Sequence, residues 1–71
     1  MDNYYIYVGD VYLEGTFQDL ETVKRAARDY SRNLFSFERI HGNVNIRKFG
    51  DNGAMIVVKE YDYSENFFMD M

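Results

Sequence analysis

The chain has no cysteine, no proline and a single histidine, His41. Without cysteine no disulfide can staple the fold. A structural zinc site is left with one imidazole and no thiolate, short of the four ligands such sites use. Cysteine-free composition fits a reducing compartment. The opening Met1-Asp2-Asn3-Tyr4 lacks the basic and apolar regions of a signal peptide. The longest fully aliphatic run, Ala54 to Val58, falls far short of the roughly 20 residues of a spanning helix. These absences predict a cytoplasmic protein with no membrane span, no metal and no cofactor. The chain also lacks repeats, low-complexity stretches and internal linkers, so its 71 residues read as one domain, 1–71. Residues from about 64 onward read as a tail expected to be loose.

Catalytic groupings are equally sparse. His41 precedes a turn-like Gly42-Asn43 and has no serine, cysteine or second histidine at a triad or metal spacing. Gly50-Asp51-Asn52-Gly53 has no Lys-Ser/Thr ending and precedes a strand pattern, so it reads as a hairpin turn rather than a phosphate loop or a calcium loop. No pair of carboxylates is set apart from the solvent-facing acids. The sequence predicts a non-enzymatic protein.

Charge is sorted along the chain. Residues 1–23 carry five acids and no base, residues 24–59 carry all eight bases and three acids, and residues 60–71 carry four acids and no base. The segments hold −5, +5 and −4. Net acidity disfavours general nucleic-acid binding, while the basic middle leaves room for a local basic face.

The fold is legible in outline. Gly9-Asp10 separates two β-rich runs and suits a type II′ turn. That register sets Val8 against Val11, Tyr7 against Tyr12, Ile6 against Leu13 and Tyr5 against Glu14. Ile6, Val8, Val11 and Leu13 then share one face, with Tyr5, Tyr7, Tyr12 and Glu14 on the other. A helix follows, with Thr16 as the expected N-cap and Asp19 completing an approximate capping box. Its buried stripe is Phe17, Leu20, Val23, Ala27, Tyr30 and Leu34, and Asn33 is the expected stop. Phe35, Phe37 and Ile40 alternate weakly, as a possible further strand. Val44–Ile46 and Ala54–Tyr61 read as a second hairpin. An Asn52-Gly53 turn sets Ile46 against Lys59, whereas a longer loop from Gly50 sets it against Val58. The expected architecture is α+β: a small antiparallel sheet of four to five strands in the order ββαββ, with one amphipathic helix on one face.

Three surfaces are candidates for function. Tyr5, Tyr7, Tyr12 and Glu14 form an amphipathic patch of the kind favoured at protein interfaces; Glu60 and Asp62 add spaced negative charge. The bland reading of the patch is that Phe67, Phe68 and Met69 cover it. A second surface is basic: Lys24, Arg28 and Arg32 recur at helical spacing, followed by Arg47 and Lys48, and could grip a nucleic-acid backbone. Glu21 and Asp29 interleave with those bases at salt-bridging spacing, and no RNA-binding motif accompanies them. Thirdly, a chain this short gains from self-association, so a homodimer that buries its own tyrosines is open.

In build the chain resembles the small proteins with which phages disable host machinery, including anti-CRISPR proteins. Thr16 to Ala27, reading TFQDLETVKRAA, looks like the helix that opens after the first strands in many of them, and the hairpin from Gly42 to Tyr61 is similar to their closing strands. The resemblance implies a stoichiometric inhibitor that binds a host nucleic-acid-handling complex and blocks nucleic-acid loading or a conformational step. The basic middle departs from the pattern of a pure DNA mimic. The residues expected to contact a protein partner are Tyr5, Tyr7, Tyr12, Glu14, Glu60 and Asp62. Those of the nucleic-acid alternative are Lys24, Arg28, Arg32, Arg47 and Lys48.

Overall fold

A computed structural model describes residues 3–33 and 40–61. Within them the chain runs β1 (Tyr4–Val8), β2 (Val11–Phe17), α1 (Leu20–Asn33), β3 (Val44–Phe49) and β4 (Met55–Tyr61). The strands form one antiparallel sheet in the order β2-β1-β3-β4, and α1 packs on one face. The ββαββ order and the α+β class are those the sequence predicts. The positions from 35 to 39 of the possible extra strand lie outside the described residues, as do Leu34 and the tail. Ile40 belongs to none of the four strands and is exposed.

Gly9 has φ +57°, and among the described residues no non-glycine has positive φ, which leaves Asp10 in the ordinary half of the map, as a type II′ turn requires. Val8 pairs with Val11 and Tyr7 with Tyr12. Beyond that point the strand departs from the expected register. Two irregularities set Ile6 against Glu14 and Tyr4 against Phe17. Leu13 still packs against the core, but Glu14 is carried to the helix side of the sheet. Gly15 sits in this irregular stretch because a ring occupies the space above it: a Cβ there would lie 2.5 Å from Cδ1 of Tyr5.

The helix begins later than the sequence suggests. Thr16 lies in β2, and Asp19 is the cap: its Oδ2 accepts from the Thr22 backbone N–H at 2.9 Å and from the Thr22 hydroxyl at 2.7 Å. These bonds favour the ionised carboxylate and hold the Asp19 pKa below its ordinary value. The inward stripe is Val23, Ala27 and Ser31, flanked by Leu20, Ala26 and Tyr30.

The core joins that stripe to Tyr4, Ile6 and Val8 of β1, Val44 and Ile46 of β3, and Tyr61 of β4. Ile6 faces Ile46 and Val8 faces Val44 across the central strand pair. Ile6, Val8, Val23, Val44 and Ile46 are fully buried, each contributing about 1.5–3 kcal/mol of hydrophobic stabilisation.

The second hairpin contains both registers open to the sequence. Gly50 N–H donates to Ala54 O and Gly53 N–H to Gly50 O, closing a loop longer than two residues. Phe49 therefore pairs with Met55 and Arg47 with Val57. A bulge between Arg47 and Ile46 then adds one residue on β4, and Ile46 faces Lys59 after all.

Candidate functional site

The sheet face turned away from α1 gathers an aromatic surface with a polar knot at its centre. Strand alternation sends Ile6 and Val8 toward the helix and Tyr5 and Tyr7 the other way, where they sit half-buried. Tyr7 and Tyr12 meet edge to face at 5.7 Å between ring centroids, and Tyr5 meets Phe49 in the same manner at 5.7 Å. Such pairings suit the ring quadrupoles and hold the rings in fixed positions. Tyr12 is 53% exposed, Phe49 55% and Val57 53%. Among the described residues no helix or strand packs over this face.

The knot ties the first turn to β3. Asn45 is 2% exposed and uses its whole amide. Its Nδ2 donates to Gly9 O at 3.1 Å and to Asn43 O at 3.0 Å, while its Oδ1 accepts from Arg47 Nε at 2.7 Å. Arg47 Nη2 donates to Gly9 O and to Asp10 Oδ1, the latter at 3.0 Å. The guanidinium lies 4.2 Å from the centroid of the Tyr7 ring. Arg47 is thus committed to a carbonyl, a carboxylate, an amide and a ring at once. The approach is close enough that a Cβ on Gly9 would fall 1.9 Å from the His41 carbonyl oxygen.

Of the residues expected to contact a protein, Tyr5, Tyr7 and Tyr12 come together on this face. Glu60 is exposed on β4 opposite Asn45, with its Oε1 3.5 Å from Asn43 Nδ2. Glu14 does not join them. The β2 irregularity turns it to the helix side, where its Oε1 accepts from the Tyr30 hydroxyl at 3.0 Å. That bond is the main reason the Tyr30 pKa is raised, with burial and the Glu14 charge acting in the same direction. Asp62 lies outside the described residues. Phe49 and Val57 belong to the face and were missed, because their placement depends on the β1–β3–β4 pairing rather than on any local signal.

Comparison with protein-family models, with curated proteins and with solved structures found no match. The site must be read from its own chemistry.

The basic residues do not form one surface. Lys24 and Arg28 face β4 across a cleft, whereas Arg47 is on the opposite side of the sheet. Lys48 of β3 pairs with Ile56 of β4, and Arg32 is in the last turn of α1. Among the described residues no helix is long and apolar enough to cross a membrane, and no group of three or more His, Asp or Glu side chains is placed to hold a metal ion.

Proposed function

We propose that the chain is a non-enzymatic binding protein whose open sheet face docks on a protein partner. The observation that carries this reading is the composition of that face: Tyr5, Tyr7, Tyr12, Phe49 and Val57 around a guanidinium whose charge is already engaged by Asp10 and Gly9. Aromatic enrichment and charge depletion are the compositional marks of protein interfaces. Rings held by edge-to-face contacts lose little further freedom on docking, which favours affinity. A phosphate backbone would ask for unengaged cations, and among the described residues this face supplies none that a bound strand could take without breaking the Arg47 knot. Exposed Glu60 at the border, together with the net charge of −4, suits a partner with a basic rim.

Within that reading, the likeness of build to phage inhibitors supports a host nucleic-acid-handling protein as the partner and steric blockade as the mode of action. The test is capture from a bacterial lysate with wild-type protein and with Tyr12→Asp and Val57→Asp variants, followed by titration of the purified partner. The expected result is one stoichiometric partner bound by the wild type and lost by both variants. Retention of that partner by the variants would sink the reading. So would a stable homodimer that seals this face, or tight binding to bare DNA or RNA that weakens steeply with salt.

A further inference from the structure

A second concave feature lies on the helix side of the sheet, where the first half of α1 passes β4. It is a cleft of about 410 Å³ lined by Glu21, Lys24, Arg25, Arg28, Lys59 and Tyr61. Its size falls in the range of small-ligand pockets. Four of its six lining residues are cationic and one is anionic, in a protein whose net charge is −4. Glu21 is shared with Lys24 at 3.6 Å. No carboxylate among the described residues pairs with Arg25, Arg28 or Lys59. Lys24 and Arg28 sit four apart on the helix, a spacing at which like charges disfavour it.

The bulge in β4 is what brings Lys59 into the cleft. Without it, Val58 would face Ile46 and the helix, and Lys59 would point away. The extra residue instead sets Lys59 opposite Ile46 and directs its ammonium to 5.2 Å from the Tyr61 ring. Tyr61 forms the floor: it is buried, and its hydroxyl donates to the Lys24 carbonyl oxygen at 3.4 Å. A helix-facing strand position that hydrophobic packing would give to valine holds a lysine instead, and it lines the same cleft as Lys24, Arg25 and Arg28. Bulges that re-aim a side chain in this way are over-represented beside functional sites.

We propose that this cleft binds a compact, multiply charged phosphate ligand of the diphosphate class, either free or as part of a nucleotide. Convergence on one hollow favours a compact anion over a nucleic-acid strand, which would need cations in succession along a track. The remaining expected basic residues do not supply one, since Arg47 lies across the sheet and neither Arg32 nor Lys48 lines the cleft. The site is independent of the aromatic face, so one can fail without the other.

The test is a titration of the intact chain with pyrophosphate and with ADP at low salt, followed by backbone amide NMR. Saturable shifts are expected at residues 21–28 and 59–61. The double variant Arg28→Gln, Lys59→Gln, at two exposed positions, is expected to weaken binding by roughly tenfold or more while keeping the wild-type far-UV spectrum. Tyr12→Ala, across the sheet, is expected to leave both affinities unchanged. Tighter binding of ADP than of pyrophosphate would support the proposal with a nucleotide as the source, and equal affinities would support it with the diphosphate alone. Absence of saturable shifts, shifts centred on Arg47, or a single-stranded oligonucleotide that binds far more tightly than ADP and is insensitive to the double variant would each overturn it.

Discussion

Arg47 lies over the Tyr7 ring, 4.2 Å from its centroid, while its Nη2 holds the Gly9 carbonyl and the Asp10 carboxylate. One side chain on β3 therefore fixes the β1–β2 turn and the orientation of the aromatic face. A lysine in its place can hold one of these partners but not the fork of three, and it stacks less well on the ring. Arg47→Lys is expected to lower unfolding stability by about 1–3 kcal/mol, the usual cost of breaking charge-assisted bonds in a partly buried network. Asp10 is 98% exposed at its side chain, so Asp10→Asn is expected to cost well under about 1 kcal/mol. Urea unfolding of both variants checks the ordering. Equal losses would mean that the ion pair, not the carbonyl and ring contacts, holds the knot.

The turn itself makes a sharper prediction. Gly9 has φ +57° and no room for a side chain, with the His41 carbonyl oxygen 1.9 Å from where a Cβ would stand. Gly53 also has positive φ, +83°, but nothing lies within 4 Å of its missing Cβ. Gly53→Ala is therefore expected to cost only the left-handed strain, roughly 1–2 kcal/mol. Gly9→Ala adds a backbone collision to the same strain and is expected to be the more damaging of the two, leaving the chain poorly folded in a region where β1, β2 and the residues before β3 meet. Thermal unfolding of the two alanine variants side by side decides it.

How far the sequence reveals this fold depends on the range of the signal. The first turn is legible because glycine at position nine fixes a local register, and Tyr7 does meet Tyr12. Glu14 is misread because alternation assumes an uninterrupted ladder, and the irregularity near Gly15 breaks it. The glycine inside a strand pattern was the available warning. The cap lies one turn later than local preference indicates for a related reason: Thr16 and Asp19 are both good caps, and pairing of Phe17 with Tyr4 keeps Thr16 in the strand. The Arg47 knot and the arrival of Lys59 beside α1 had no local signature. Both require β1 to pair with β3 across an intervening helix, and the second also requires a bulge that polar and apolar patterning does not announce.

Asp19 at the head of α1 predicts an acid response. Its folded-state pKa is depressed by the two bonds from Thr22, so its contribution is complete above the unfolded carboxylate pKa and is lost as pH falls through the lower, folded value. Asp19→Ala is expected to lower the unfolding midpoint at pH 7 and to flatten the stability profile in the acid range. Asp19→Asn, a good cap without the charge, is expected to restore much of the midpoint but not the acid dependence. Guanidinium titrations from pH 7 down to pH 2.5 separate capping from charge. An Asn variant that keeps the wild-type acid slope would place that slope on some other carboxylate.

At the alkaline end, Tyr30 and Tyr61 set the expectation. Both phenols have pKa values raised above the ordinary 10.0, Tyr30 chiefly by its hydrogen bond to Glu14 and Tyr61 chiefly by burial, against which the Arg28 charge acts. A raised phenol pKa means that the folded state holds the proton more tightly than the unfolded chain. The associated stability is complete below the unfolded value and declines as pH rises through the folded values. Stability is therefore expected to fall above pH 10, and absorbance at 295 nm should show Tyr30 and Tyr61 ionising above the ordinary phenol value. Glu14→Gln removes the carboxylate acceptor and its charge, and is expected to return Tyr30 toward its ordinary value without moving Tyr61. If Glu14→Gln leaves the late-ionising pair unchanged, the Tyr30–Glu14 bond does not govern the phenol, and the displacement of Glu14 to the helix side would have to be stabilised by packing alone.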